Sequence, residues 1–267
     1  MNRDISVHRI EYVDIAPMRE LYRHEAHCQI VRDSMLKRGL ADAYLFLVDG
    51  QRAGYGGVWN QYWPGRIMEF YILPHIRARD AALPTRIGRA FVQASNATHI
   101  EAQTNLPALF ALLLELSTNG IEDPSSSVEE AEQSSTLLVE NYLVADDHTT
   151  YLPPPALKPG SSCVFRSLEK DEEAQVFAHH REPIGPWGIE GDADDGAGRR
   201  ILATGGFLTH YNPPYADVFM EVDEVARGKG VGAYLVQELK RVCYEAGYLP
   251  ASRCNVNNTA SRRTLQR

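Results

Sequence analysis

Short apolar runs alternate with glycine and proline punctuation along most of the chain. Residues 43–48 (AYLFLV) read as a strand, closed by Asp49-Gly50, a two-residue hairpin signal. Residues 52–59 would return as its partner, and residues 66–73 form a third strand stopped by Pro74. Residues 85–95 place Ile87, Phe91 and Val92 on one helical face. Residues 99–103 read as a further strand and residues 109–116 as an apolar helix.

The second part repeats this order. Residues 162–168 predict a strand and 171–180 a short helix. Residues 187–190 and 200–208 predict a hairpin, and 215–222 the next strand. Residues 231–246 have helical spacing, with Tyr234, Leu235, Leu239 and Val242 as the apolar stripe. The hairpin loop at 191–198 resembles the start of a calcium loop, but the twelfth position from Asp192 is Ala203 instead of glutamate, so it reads as a turn. Two halves with the order strand, helix, hairpin, strand, helix, strand, helix predict a duplicated α/β unit with a mixed, mainly antiparallel sheet flanked by helices. Residues 151–162 hold four prolines and a glycine, which can continue neither a helix nor an inner strand. The expected division is therefore a domain over 1–150, a linker over 151–162 and a second domain over 163–267.

Composition narrows the class. Of 267 residues, 44% are apolar and 23% charged, close to globular averages. No apolar run approaches the ~18 residues of a membrane span, and the N-terminus has no apolar signal region, so the expected compartment is the cytoplasm without membrane attachment. The four cysteines, Cys28, Cys163, Cys243 and Cys254, form no CxxC pair and read as reduced thiols. His24-Glu-Ala-His-Cys28 reads as a helix face, and no metal site is expected. Net charge is -8, which argues against nucleic-acid binding. Residues 227–267 nevertheless hold eight basic and two acidic residues, a local +6 that suits one small polyanion.

The segment from Met220 to Leu235 explains that patch. An apolar strand runs into Arg227-Gly-Lys-Gly-Val-Gly232 and then into the helix. Gly228, Gly230 and Gly232 let backbone N–H groups turn toward one point, where the helix start adds unpartnered N–H groups and positive potential. Arg227 and Lys229 add full charges. A Walker A loop is absent, and the third glycine comes one position too early for a dinucleotide fingerprint.

This segment resembles the GNAT superfamily of acyl-CoA-dependent N-acyltransferases, whose pyrophosphate loop is [R/Q]-x-x-G-x-[G/A]. Val222-Asp-Glu-Val-Ala226 looks like the family's strand end before that loop. Asn258-Thr-Ala-Ser261 matches its later N-x-x-[A/S] stretch. The resemblance implies two tandem GNAT-like domains, with acetyl-CoA or another acyl-CoA as co-substrate in the second. Residues 66–84 hold no glycine loop, so the first domain is a degenerate copy that should not bind CoA in the same way.

By the same resemblance, the backbone at Val222 would pair with the pantetheine arm. The N–H groups of Gly228, Lys229, Gly230, Val231, Gly232 and Ala233 would hold the pyrophosphate, with Arg227 beside them. Asn258 and Ser261 would line the thioester. The implied reaction is direct attack by a primary amine of a small molecule or peptide. Glu221 or Asp217 would be the base, with His210 and Tyr215 as lesser candidates, and the loop at Asn212-Pro-Pro214 a contact for the acceptor. The family's tyrosine acid falls at Leu265. That departure leaves a non-catalytic acyl-CoA-binding or assembly module as the alternative. The family's two last strands would follow Arg267, so the sequence reads as short of them at its C-terminus unless the first domain covers the open edge. A homodimer is left open.

Overall fold

The computed structural model describes residues 3–26, 33–78, 80–117, 139–146, 148, 150–152, 162–173, 185–193, 198–209 and 213–266. They fall into two compact units, one mainly over residues 1–139 and one mainly over 140–267. Among the described residues, no helix is long and apolar enough to cross a membrane.

The first unit is a five-stranded sheet in the order β1-β2-β3-β4-β5: β1 Ile5–Ile10, β2 Ala41–Val48, β3 Gln51–Trp59, β4 Arg66–Ile72 and β5 His99–Ile100. The first four strands are antiparallel neighbours and β5 joins β4 in parallel. The hairpin at Asp49-Gly50 has both residues at positive φ, 50° and 75°, as a turn matched to strand twist requires. Helices α1 (Tyr12–Glu25), α2 (Asp33–Lys37), α3 (Pro74–Arg77), α4 (Leu83–Ser95) and α5 (Pro107–Leu116) complete it. In α4, Leu83, Ile87 and Phe91 recur every four residues and are fully buried, and Asn96 ends the helix in the left-handed region. Phe46, Phe70 and Phe91 form the centre of this core.

The second unit repeats the plan in a six-stranded sheet, β6-β11-β10-β9-β8-β7. Here β7 is Val164–Ser167, β8 Trp187–Ala193, β9 Gly198–Leu208, β10 Tyr215–Val222 and β11 Leu249–Asn255. Helix α6 covers Lys170–Glu173, α7 Val231–Glu245 and α8 Thr259–Leu265. As in the first unit, four antiparallel strands are followed by a crossover helix and a parallel strand. Val231, Leu235 and Leu239 of α7 pack on Ile189, Leu202 and Val218 of the sheet. Each such side chain contributes about 1.5–3 kcal/mol by leaving water.

The sixth strand departs from the expected division. β6, Asn141–Ala145, lies before the proline-rich segment yet pairs antiparallel with β11, from Ala145↔Ala251 to Asn141↔Asn255. Leu143 and Ala145 pack with Ala251, Leu208 and Tyr215. An exposed outer edge of β11 would offer unpaired backbone groups to other chains, and β6 covers it. The second unit thus starts near Glu140, ahead of the expected boundary. Most of the proline-rich segment, 153–161, lies outside the described residues, as do His27, Cys28, His210 and Asn212.

Candidate active site

The site is built where β10 and β11 part. Their parallel pairing covers only Tyr215↔Leu249, Ala216↔Pro250 and Asp217↔Ala251, although β10 runs on to Val222 and β11 to Asn255. Past this fork, β10 stays paired with β9 as far as Val222↔Ala203. Successive strand residues face opposite sides. Met220 and Val222 join the core under α7, which turns Asp217, Phe219 and Glu221 to the other face.

After Val222 the chain makes a 3-10 turn at Glu224–Ala226, capped by Asp223, whose carboxylate accepts from the Val225 N–H at 3.1 Å. Gly228 and Gly230 then take φ of 75° and 83°, and Gly230 is the N-cap of α7. Left-handed backbone at these two positions, one residue apart, favours glycine at both. A Cβ on Gly228 would meet nothing within 4 Å, so its side remains open. Gly232 serves another purpose. A Cβ there would stand 3.2 Å from Val222 Cγ2, 3.5 Å from Met220 Cε and 3.6 Å from Thr264 Cγ2, so its lack of a side chain lets the helix start lie close to β10 and α8.

Val231, Gly232 and Ala233 occupy the first turn of α7, where N–H groups have no acceptor earlier in the helix; the N–H of Tyr234 is the first to bond back, to Gly230 O at 3.0 Å. Val231 and Ala233 have buried side chains, so only their backbone can face a ligand. Arg227 and Lys229 are exposed and anchored: Arg227 Nε donates to Val222 O at 3.1 Å, and Lys229 Nζ to Val225 O at 2.6 Å. The whole forms a cationic, N–H-rich cradle of the kind that suits an anion.

Asn258 and Ser261 are joined, since Asn258 is the N-cap of α8 and its Oδ1 accepts from the Ser261 N–H at 3.0 Å. Leu265 ends α8. Of the two carboxylates, Asp217 is buried and accepts from Arg253 Nη2 at 2.8 Å. Glu221 is half-buried beside Thr204, and its Oε2 is buried with no hydrogen-bond partner among the described residues. Tyr215 sits at the start of β10 and packs against Ala251.

Two features escape sequence reasoning. Ser252 Oγ donates to Val218 O at 2.8 Å in the buried floor of the fork. Tyr142, from β6, carries the Arg262 guanidinium 4.2 Å above its ring. Two of the described cysteines, Cys243 and Cys254, are poor nucleophiles. Burial pushes the Cys243 thiol up to about 12. It also raises that of Cys254, against the opposing effect of Arg262.

The corresponding place in the first unit is built differently. The Ala82 N–H donates to Asp80 Oδ1, those of Leu83 and Arg86 go to backbone carbonyls, and Pro84 has none. That helix start has few N–H groups left for an anion. On β4, the strand matching β10, Glu69 is fully buried in a two-bonded ion pair with Arg19, at 2.7 and 3.0 Å, and also accepts from Tyr55 Oη at 2.8 Å. Burial opposes the charge on Arg19, but Glu69 holds the guanidinium protonated.

Comparison with known proteins follows the same division. The acetyltransferase (GNAT) family model matches residues 146–267. A GNAT-family acetyltransferase from Colwellia psychrerythraea has the same fold at TM-score 0.65 and 16% identity, over 98% of this chain and 94% of its own. A GCN5-related N-acetyltransferase from Sphaerobacter thermophilus gives TM-score 0.56 at 16% identity, over 97% and 91%. No curated protein matches the sequence. The second unit, with its glycine cradle beside a strand fork, matches the acetyltransferase (GNAT) family model, and the chain as a whole carries the GNAT-like fold twice.

Proposed function

We propose that the second unit transfers an acetyl or other acyl group from acyl-CoA to a primary amine of a small molecule or peptide. The observation that carries this reading is the pair of left-handed glycines, Gly228 and Gly230, heading α7 beside the β10–β11 fork. The cradle fits a pyrophosphate: N–H groups at 228–233, two cations held at its rim, and open space at Gly228. The bound co-substrate supplies an activated acyl thioester. The edge of β10 near Val222 would orient its arm, and Asn258 and Ser261 would support the far wall at the start of α8.

Glu221 is the proposed base. It holds a proton acceptor on the face turned away from α7, and the unpartnered Oε2 suits removal of a proton from an attacking amine. Asp217 is tied to Arg253, which favours Glu221 over it. A strand N–H near Val222 would stabilise the developing oxyanion. The raised Cys243 and Cys254 thiols support direct transfer over a cysteine acyl-enzyme. Three described cysteines are buried and form no disulfide among the described residues, in keeping with a cytoplasmic setting.

The test is calorimetric titration of acetyl-CoA, followed by release of free CoA thiol with a panel of amines. One site per chain and amine-dependent thiol release are expected. Leu265 at the tyrosine position favours a second reading, an acyl-CoA-binding module, for which binding would occur with no thiol release under any amine.

A further inference from the structure

We infer that Ser252 and the Asp217–Arg253 pair are positioning residues that fix where β10 and β11 separate, and so set the opening for the arm of the acyl donor. The inference rests on the acyl-CoA reading above. Both strands are long enough to continue their ladder past Asp217↔Ala251, and parallel pairing is favourable wherever it can continue. Side chains stop it. Val218 O is the first carbonyl of β10 beyond the paired residues, and it receives the Ser252 hydroxyl at 2.8 Å in a buried setting. On the other face of β11, the next residue, Arg253, reaches back to the buried carboxylate of Asp217, the last paired residue of β10. From Ala251 onward β11 takes its backbone partners from β6. The β10 ladder thus ends at the residue where the β6 ladder on the opposite edge of β11 begins, with a hydroxyl lock on one face and an ionic lock on the other.

The consequence lies on the opposite side of the gap. From Phe219 to Val222, β11 gives the β10 edge no ladder partner, while β9 holds that segment from behind. An extended amide-bearing arm can add to such an edge as a strand does. If the fork closed by even one pair, that edge would shorten. The locks therefore act on ligands that possess the arm and leave the phosphate cradle at 228–233 untouched.

The experiment compares two probes on the full chain: acetyl-CoA, and adenosine 3′,5′-bisphosphate, which has phosphates without the arm. Ser252→Ala should weaken acetyl-CoA binding about tenfold, the size of one buried hydrogen bond, and raise KM in step. The bisphosphate should bind the variant within about twofold of the parent, and Ser252→Thr, which keeps the hydroxyl, should restore acetyl-CoA binding. Asp217→Asn provides an independent variant, with the same selectivity for the armed ligand expected. Equal losses for both probes, or no loss for either, would overturn the inference while leaving the acyl-CoA reading intact. A parent chain that binds neither probe would overturn that reading and the inference with it.

Discussion

Asp146, just beyond β6, lies 2.6 Å from Lys240 of α7, with its carboxylate 9% exposed. The contact pins the strand that precedes the family-matched segment to the helix that carries the glycine cradle. Burial works against the charge of Asp146, but the Lys240 hydrogen bond and charge outweigh it and hold the carboxyl below its ordinary value. A depressed folded-state value means that the stabilisation is present above the unfolded value of 3.8 and is lost as pH falls through the folded one. Lys240→Ala should destabilise the second unit by about 2 kcal/mol at neutral pH, with a smaller difference in acid. Urea unfolding of parent and variant at two pH values checks this. A constant difference would mean that the pair contributes nothing through charge.

Gly230→Glu joins two faults at one position. The backbone there has φ of 83°, which costs a non-glycine residue about 1–2 kcal/mol, and a carboxylate would enter an anion site. Acetyl-CoA affinity should fall at least about a hundredfold, the equivalent of roughly 3 kcal/mol, while the melting transition remains cooperative. Gly228→Ala shares the strained backbone but meets open space, so it should retain measurable affinity. Calorimetry on both variants ranks the contributions. Equal behaviour would show that strain alone, without charge, governs the cradle.

Glu221→Gln preserves shape and removes the proton acceptor. Turnover should fall about a hundredfold at neutral pH, the lower range for loss of a general base, with acetyl-CoA affinity unchanged. The split separates Glu221 from Asp217, whose replacement should act on affinity through Arg253. Unaltered turnover in the glutamine variant would pass the proton to water or to another group.

The contrast between these residues explains what could be read from the sequence. β10, the glycine turn and α7 are local: an apolar run, alternate glycines and a four-residue stripe are contiguous within 215–245, and each signal names its own element. The cradle was therefore legible. The fork was not, because it depends on the register of Asp217 against Ala251, and a parallel register has no local signature. β6 was hidden for the same reason, since its partner lies more than a hundred positions further on and its five residues carry too short an alternation to declare a strand. Asn258 and Ser261 show a different effect: N-x-x-S is at once the family's motif and an ordinary helix cap, and the hydrogen bond between them satisfies the second meaning. In the first unit, the missing glycines were visible in sequence, whereas the Arg19–Glu69 pair, fifty positions apart, needed the packing of α1 on β4.

Arg166 of β7 provides a test at the opposite edge of the second sheet. It donates to Glu190 of β8 at 2.6 Å and, through two nitrogens, to Glu172 of α6 at 2.6 and 2.8 Å. The Arg166 hydrogen bonds, helped by the Glu169 N–H, bring the Glu172 carboxyl down to about 2 from an ordinary 4.5. Because the folded value is depressed, the contribution of this contact is complete above 4.5 and disappears as pH falls through about 2. Carboxyl titration by NMR should find Glu172 still ionised at pH 3 in the parent, about one unit above that folded value, and returned toward the ordinary range in Arg166→Gln. Since Glu172 is solvent-accessible, added salt should weaken the effect without abolishing it, as short two-point contact resists screening better than distant charge does. A parent Glu172 that titrates near 4.5 would mean that Arg166 does not hold α6 against β7, and that the start of this helix owes its position to backbone contacts alone.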